Sequence, residues 1–257
     1  PVPSFVRQDI GHIDYIVHAA ASTHVDESIR GPEAFVQDNV VGTLNLLQYA
    51  RKLDGLRWFN QFSTDEVYGP ADEGTAFLED ARYNATNPYS ATKAGAEQLV
   101  NAFGNTYGLP VFISNTMNLI GERVGYEKYL HLVMRKVLAG EIVTIHSDPT
   151  KTQAGKRHYL HCRNAAAAIL FLLEHAEQRE RYNVVGEREI DNLTFAQMIA
   201  DVIGKPLKYE MVDWHGSRPG HDLRYALNGT KLKSMGFEFP VSFETSLEKT
   251  VRWMLDH

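Results

Sequence analysis

The chain has a single cysteine, Cys162, and no Cys/His spacing of a metal-binding kind. An internal disulfide framework and a zinc knot are therefore excluded as sources of stability, no metal is expected, and a reducing, cytoplasmic setting is. Cys162 itself reads as a small buried side chain. Long apolar runs are also missing: none reaches the roughly 18–20 residues that a membrane span needs. The opening stretch PVPSFVRQDIGHID has no basic segment leading into an apolar one. Neither a membrane anchor nor a secretory leader is expected from it. Basic charge is in deficit, 26 Lys and Arg against 32 Asp and Glu, and no basic block occurs. A nucleic-acid partner is not expected, and an anionic ligand must be held by local cations. The first residue is Pro1 rather than Met, which reads as a truncated or processed chain. Internal repeats and low-complexity segments are absent.

What remains is an ordinary globular composition, 44% apolar and 23% charged over 257 residues, enough for one large domain or two modest ones. Short β-branched or aromatic runs recur at 14–20, 57–63, 110–120 and 141–146. Between them lie segments of helical period. Residues 33–51 space Phe35, Val36, Val40, Leu44, Leu47 and Ala50 by threes and fours, and 88–104 open on Pro88 and carry Ala94, Leu99, Val100 and Phe103. Strands alternating with helices, the strands nearly continuous in apolar residues, predict a parallel sheet covered on both faces. From about residue 121 the rhythm changes. A helix near 127–139, a polar Lys-bearing loop, the alanine-rich NAAAAILFLLEH and two amphipathic helices, LTFAQMIADVIGK and SFETSLEKTVRWMLDH, follow. In the last of these Phe243, Leu247, Val251 and Met254 share a face, with Thr245 and Glu248 in capping-box spacing.

The stretch STDEVYG sets Asp65 and Glu66 side by side where a strand ends, and NPYSATKAGAEQL sets Tyr89 and Lys93 on one helical face. Strand ends of a parallel sheet face the ligand crevice, so an acid and a base are expected on a rigid mount there. An ammonium about 4 Å from a phenol is worth roughly 4 kcal/mol at an effective dielectric of 20, before solvation costs. That would draw the phenol from about 10 toward 7, within reach of a sugar hydroxyl proton. By themselves, a Tyr-x-x-x-Lys pair also fits a purely structural helix face, and Asp65 also fits a capped turn.

Together, HAAASTHVDESI, NVVGTLNLL, STDEVYG, NPYSATKAGAEQL and SRPGHDLRYAL resemble, in order, the extended short-chain dehydrogenase/reductase family. Tyr89 and Lys93 mark the superfamily, while Thr64-Asp65-Glu66 and RPGHD resemble its nucleotide-sugar 4,6-dehydratases. The resemblance implies an α/β fold: a Rossmann-like, doubly wound parallel sheet, cut short at its N-terminus, with a smaller mixed α/β substrate-binding lobe. Residues 1–120 would be the remaining NAD-binding part and 121–257 mostly the substrate lobe, some elements returning to the sheet. It further implies NAD as cofactor, passed over by Ala20, Ala21, Ser22 and Thr23 and met by Tyr89 and Lys93. Tyr89, assisted by Lys93, would take the 4-hydroxyl proton of a sugar, dTDP-glucose being expected. Glu66 would then abstract the C5 proton while Asp65 protonates the departing 6-hydroxyl, and Thr64 would hold the sugar. His24, Asn118, Lys128, Arg157, Arg218 and His221 would bind the rest of the substrate, guanidinium forks suiting phosphate oxygens. His24 read alone fits a structural hydrogen-bonder equally well. A homodimer through the 33–51 and 88–104 helices is implied.

The pattern is departed from in places. The strand, Gly-x-x-Gly-x-x-Gly turn and helix that hold a cofactor pyrophosphate are not in this sequence, which starts roughly 70 residues into the expected fold. Leu119 and Ser217 stand where an Asn and an Asp are usual in these dehydratases. A nucleotide-sugar epimerase or decarboxylase, which would tolerate loss of Asp65 and Glu66, and a catalytically silent sugar-nucleotide binder therefore stay open.

Overall fold

The computed structural model describes residues 11–213 and 223–257. In chain order its regular elements are β1 (Tyr15–His18), α1 (Val25–Arg30), α2 (Pro32–Phe35), α3 (Gly42–Ala50), β2 (Trp58–Thr64), α4 (Pro88–Tyr107) and β3 (Val111–Thr116). There follow β4 (Leu119–Ile120), α5 (Tyr129–Ala139), β5 (Val143–Ser147), β6 (Lys156–Arg157), β7 (Leu160–His161), α6 (Cys162–His175) and β8 (Arg181–Val184). The remainder comprises β9 (Ile190–Asp191), α7 (Asn192–Ile203), β10 (Tyr209–Asp213), α8 (Thr230–Ser234) and α9 (Phe243–Asp256). They fall into two compact units, one from the described parts of Pro1–Gly69, Glu79–Asn115 and Phe171–Asn183, the other from those of Pro70–Leu78, Thr116–Leu170 and Val184–His257.

The first unit is built on a sheet in the order β1-β2-β3-β8, with β1 and β2 parallel from Tyr15 opposite Trp58 to His18 opposite Gln61. With its helices this is the Rossmann-like parallel α/β core that the alternation predicts. Leu47 and Ala50 of α3, Val100 and Phe103 of α4, and Phe59, Val111 and Ile113 of the strands form one buried apolar cluster. α4 starts where Asn87 and Ser90 cap each other reciprocally, has Pro88 in its first turn, and stops at Gly108 in the left-handed region. The helix expected over 33–51 is not uniform: α2 and α3 are joined by a π segment, Val36–Val41. The wider turn swings Asn39 into the interior, which no 3.6-residue period predicts.

The strand expected over 110–120 also divides. β3 ends at Thr116, and Leu119–Ile120 pairs in parallel with Leu160–His161 in the second unit instead. Asn115, still within β3, sends its side chain to the Thr64 carbonyl and to Glu97.

In the second unit β5 and β10 pair in parallel, and α5, α7 and α9 close a core that includes Val133, Ile145, Phe195, Ile199, Leu247 and Val251. Phe195 stacks on Tyr159 with ring centroids 3.9 Å apart. The α9 face read from sequence is the buried one, but its cap is Ser242, whose hydroxyl accepts the Thr245 amide, one turn before the expected Thr245. Cys162 is exposed at the start of α6 rather than buried. Among the described residues no helix is long and apolar enough to cross a membrane.

Phe59 is fully buried in the first-unit cluster. Phe59→Ala is expected to cost about 3–5 kcal/mol in urea unfolding; a loss below 1 kcal/mol would mean that the cluster does not carry this unit.

Candidate active site

β2 delivers its C-terminal residue, Thr64, to the edge of a short 3-10 turn, Asp65–Tyr68. The Thr64 hydroxyl accepts the Glu66 amide at 3.3 Å and donates to Asp65 Oδ1 at 3.0 Å, so one side chain both caps the turn and orients the first carboxylate. Asp65 is 4% exposed, whereas Glu66 is half-buried and accepts a hydrogen bond from Asn87 Nδ2 at 3.1 Å. Asn87 is the N-cap of α4, so the cap that starts the tyrosine helix also holds the second carboxylate. The turn leaves through Gly69 at φ 77°, where an added Cβ would meet the Asn84 carbonyl oxygen at 2.4 Å. Only glycine fits there.

Tyr89 and Lys93 both lie on the buried face of α4. The Tyr89 amide donates to Ser28 Oγ at 3.1 Å, which ties the first turn of α4 to α1. Burial raises the Tyr89 phenol above its usual range, with the nearby Glu66 charge adding to it and a hydrogen bond with Thr64 opposing it. The expected depression by Lys93 is therefore not what the geometry gives. The reason is direction: Lys93 Nζ turns to the strand and donates to the Phe62 carbonyl at 2.7 Å. Its own pKa is pushed down to about 8 by burial, against the attraction of Glu97.

The Ala20–Thr23 stretch follows β1, with Ala20 and Thr23 exposed and Ala21 and Ser22 half-buried. Asn39, brought in by the π segment, grips both sides of Ser22: its Oδ1 accepts the Ser22 amide at 2.8 Å and its Nδ2 donates to the Ser22 carbonyl at 3.0 Å. The same Nδ2 reaches Thr92 Oγ1 at 2.9 Å, next to Lys93. Sequence reading missed Asn39, Asn87, Ser28 and Thr92; of these only Asn87, as the residue before a helix-opening proline, left a local signal. His24 caps α1, its Nδ1 accepting the Glu27 amide at 3.3 Å.

The remaining predicted ligand-binding residues belong to the second unit. Asn118 is exposed and its carbonyl accepts the Leu160 amide at 2.9 Å. Lys128 is half-buried at the N-cap of α5 without a side-chain capping bond. Arg157 donates to the Lys156 and Leu223 carbonyls, both at 2.6 Å, and stacks over Tyr225. Arg218 and His221 lie outside the described residues. A cavity of about 490 Å³ lies elsewhere in this unit, at Ile120–Val124, Cys162 and Trp253, and holds none of the predicted site residues. Beside it Glu122, His161 and Cys162 have the chemistry of metal ligands. Arg163 sits within that cluster, 2.9 Å from Glu122, and both His161 nitrogens have polar partners.

The chain belongs to the NAD dependent epimerase/dehydratase family, whose model matches residues 4–185. It is 39% identical to a dTDP-glucose 4,6-dehydratase of Xanthomonas campestris pv. campestris, over 98% of this chain and 78% of that protein. Among solved structures, DesIV, a dTDP-glucose 4,6-dehydratase from Streptomyces venezuelae with NAD and TYD bound, superposes with a TM-score of 0.88 at 33% identity, covering 98% of this chain and 76% of that one. The Bacillus anthracis dTDP-glucose 4,6-dehydratase in complex with NAD gives 0.83 at 30% identity, covering 95% and 73%.

His18 ends β1 beside this site and bonds Thr43 Oγ1 at 3.0 Å; because Thr43 donates to the Asn39 carbonyl, the His18 Nε2 carries the proton. Burial first, and the Lys93 charge second, lower its pKa from 6.5 to about 4. Between those values the unfolded chain binds a proton that the folded one refuses, so this residue's contribution to stability falls as pH drops from 6.5 through 4. In His18→Asn the fall in urea midpoint between pH 7 and pH 5 should be smaller than in the parent; an equal fall would place the linkage elsewhere.

Proposed function

We propose that the chain acts as an NAD-dependent nucleotide-sugar 4,6-dehydratase, a hydro-lyase, on dTDP-glucose. The observation that carries this reading is the carboxylate pair Asp65–Glu66, mounted after β2 and tied through Asn87 to the helix of Tyr89 and Lys93. The names of the relatives point the same way.

For the cofactor, the small side chains of Ala20, Ala21, Ser22 and Thr23, on a backbone pinned by Asn39, leave room for a flat ligand to approach, and Tyr89 and Lys93 would meet its ribose. NAD+, held there, would supply the hydride acceptor for oxidation at the sugar C4 and the hydride donor for reduction at C6. Tyr89 takes the 4-hydroxyl proton, its phenolate helped by the Thr64 hydrogen bond, while Lys93 on the same helix face is held by the Phe62 carbonyl. Once C4 is a ketone the C5 hydrogen is acidic. Glu66, half-buried beside an amide donor, suits the anionic base; Asp65, nearly fully buried, suits the neutral acid that protonates the leaving 6-hydroxyl. Thr64 holds Asp65 in orientation and bonds the sugar. In the second unit Asn118, Lys128 and Arg157, with Arg218 and His221, are assigned to the sugar, diphosphate and nucleoside, and His24 to the sugar side. The chain is read as a cytoplasmic homodimer pairing through the helices at 33–51 and 88–104, which light scattering would check.

With NAD+ and dTDP-glucose, mass spectrometry and NMR should register loss of one water and a 4-keto-6-deoxy product. Asp65→Asn and Glu66→Gln should each lower kcat by about 100-fold or more, in the range of lost acid–base catalysis. Turnover with both carboxylates replaced would move the chain to epimerase chemistry, and no turnover of any nucleotide sugar to a silent binder.

A further inference from the structure

Glu97 lies one helical turn beyond Lys93 on the same face of α4 and is fully buried, yet no step above uses it. Donors from four separate segments converge on its two oxygens. Ser63 Oγ and Asn115 Nδ2 donate to Oε1, the second at 2.8 Å; the Tyr83 hydroxyl donates to Oε2 at 2.8 Å; and Arg181 Nε lies 3.4 Å from Oε2. Asn115 Nδ2 and Arg181 can only donate, so the pocket is built for a carboxylate. Burial raises the Glu97 pKa, and Arg181 with the hydrogen bonds from Ser63, Tyr83 and Asn115 works against that rise.

What Glu97 holds is the end of β2. Asn115 Nδ2 bridges, donating to Glu97 and, at 3.1 Å, to the Thr64 carbonyl. Ser63 is held through its hydroxyl, and the Phe62 carbonyl is held by Lys93. Three consecutive residues leading into Asp65 are thus fastened to the face of α4 that carries Tyr89. We propose that Glu97 is a positioning residue that locks the Thr64-Asp65-Glu66 turn to the Tyr89 and Lys93 helix, fixing the distance between the group that starts oxidation and the pair that eliminates water. The catalytic meaning of the lock rests on the dehydratase reading; the lock itself does not. Its chemistry is mechanical: no proton or electron passes through Glu97.

The test uses Glu97→Ala and Glu97→Gln in the NAD-loaded protein. The Ala variant should lower kcat by about 100-fold, the scale of a small misplacement of reacting groups, with KM for the nucleotide sugar changed less than about threefold. Amide hydrogen exchange in residues 59–69 should rise about tenfold or more in the same variant, reporting a locally loosened segment. The Gln variant keeps an oxygen toward Ser63 and Asn115 but turns an amide N–H donor toward the Tyr83 hydroxyl and Arg181, so it should recover only part of the clamp and fall between the parent and the Ala variant in rate and exchange. Parental kcat and exchange in Glu97→Ala, or a Gln variant as impaired as Ala, would overturn the proposal. If Glu97→Ala does not fold, Asn115→Ala cuts the same link to Thr64: faster exchange at 59–69 and a lower kcat at unchanged KM support it, and parental values refute it. A parent protein that makes no product removes the dehydratase reading alone, and the exchange measurement still decides whether the lock exists.

Discussion

β2 ends inside the protein, and its last carbonyls must find donors away from the sheet. An unpaired buried carbonyl costs about 1–3 kcal/mol, so this is a constraint rather than a preference. The chain meets it with side chains: Lys93 serves the Phe62 carbonyl and Asn115 serves that of Thr64. Because those donors come from α4 and β3, meeting the backbone's demand also fixes where the turn at Asp65 and Glu66 stands relative to the tyrosine helix. The reciprocal cap at Asn87 and Ser90 closes the same arrangement from the helix side, since Asn87 also holds Glu66.

Placing charges in this interior has electrostatic consequences that the hydrogen bonds only partly offset. Lys93, Glu97 and Asp65 are each less than 5% exposed, and His18 and Tyr89 are not much more so. Burial pushes Lys93 and His18 toward their neutral forms and Tyr89 and Glu97 toward theirs. Opposite charges resist: Glu97 supports Lys93, and Arg181 supports Glu97. Replacing such a set by apolar residues of similar volume would often be neutral or stabilising, so stability alone is a weak reason for it. The proposed dehydratase site, which would need a phenol, an ammonium and two carboxylates in fixed relation, is a stronger one.

The alternation of apolar strands and periodic helices was legible because each β-strand and helix buries a continuous face, and α4 carried its own start in Asn87-Pro88. The π segment was not, because Phe35, Val36 and Val40 keep an apolar helical rhythm straight through it, and the one residue that betrays the extra turn, Asn39, is polar. The carboxylate pair and the Tyr89/Lys93 face were legible as residue types at a spacing. Their electrostatics were not, since the expected depression of Tyr89 assumed an ammonium aimed at the phenol, and aim is decided by the Phe62 carbonyl, distant in sequence. The cap of α9 was misplaced because Thr245 and Glu248 have capping-box spacing, whereas the helix already begins at buried Phe243 and the Ser242 hydroxyl accepts the Thr245 amide.

Two adjacent carboxylates of nearly identical intrinsic acidity can divide the work of acid and base only if their surroundings differ. Here the difference begins with the turn. In a 3-10 segment successive side chains diverge by about a third of a revolution. Asp65 therefore goes inward, to 4% exposure against the Thr64 hydroxyl, while Glu66 goes to a half-buried position against an amide. Burial disfavours a charged carboxylate, which is why the proposed mechanism gives the acid's role to the more deeply buried of the two. An amide N–H only donates, and so favours the anion. The local backbone thus gives the two residues different surroundings, and the turn that does so leaves through Gly69, where only glycine fits against the Asn84 carbonyl.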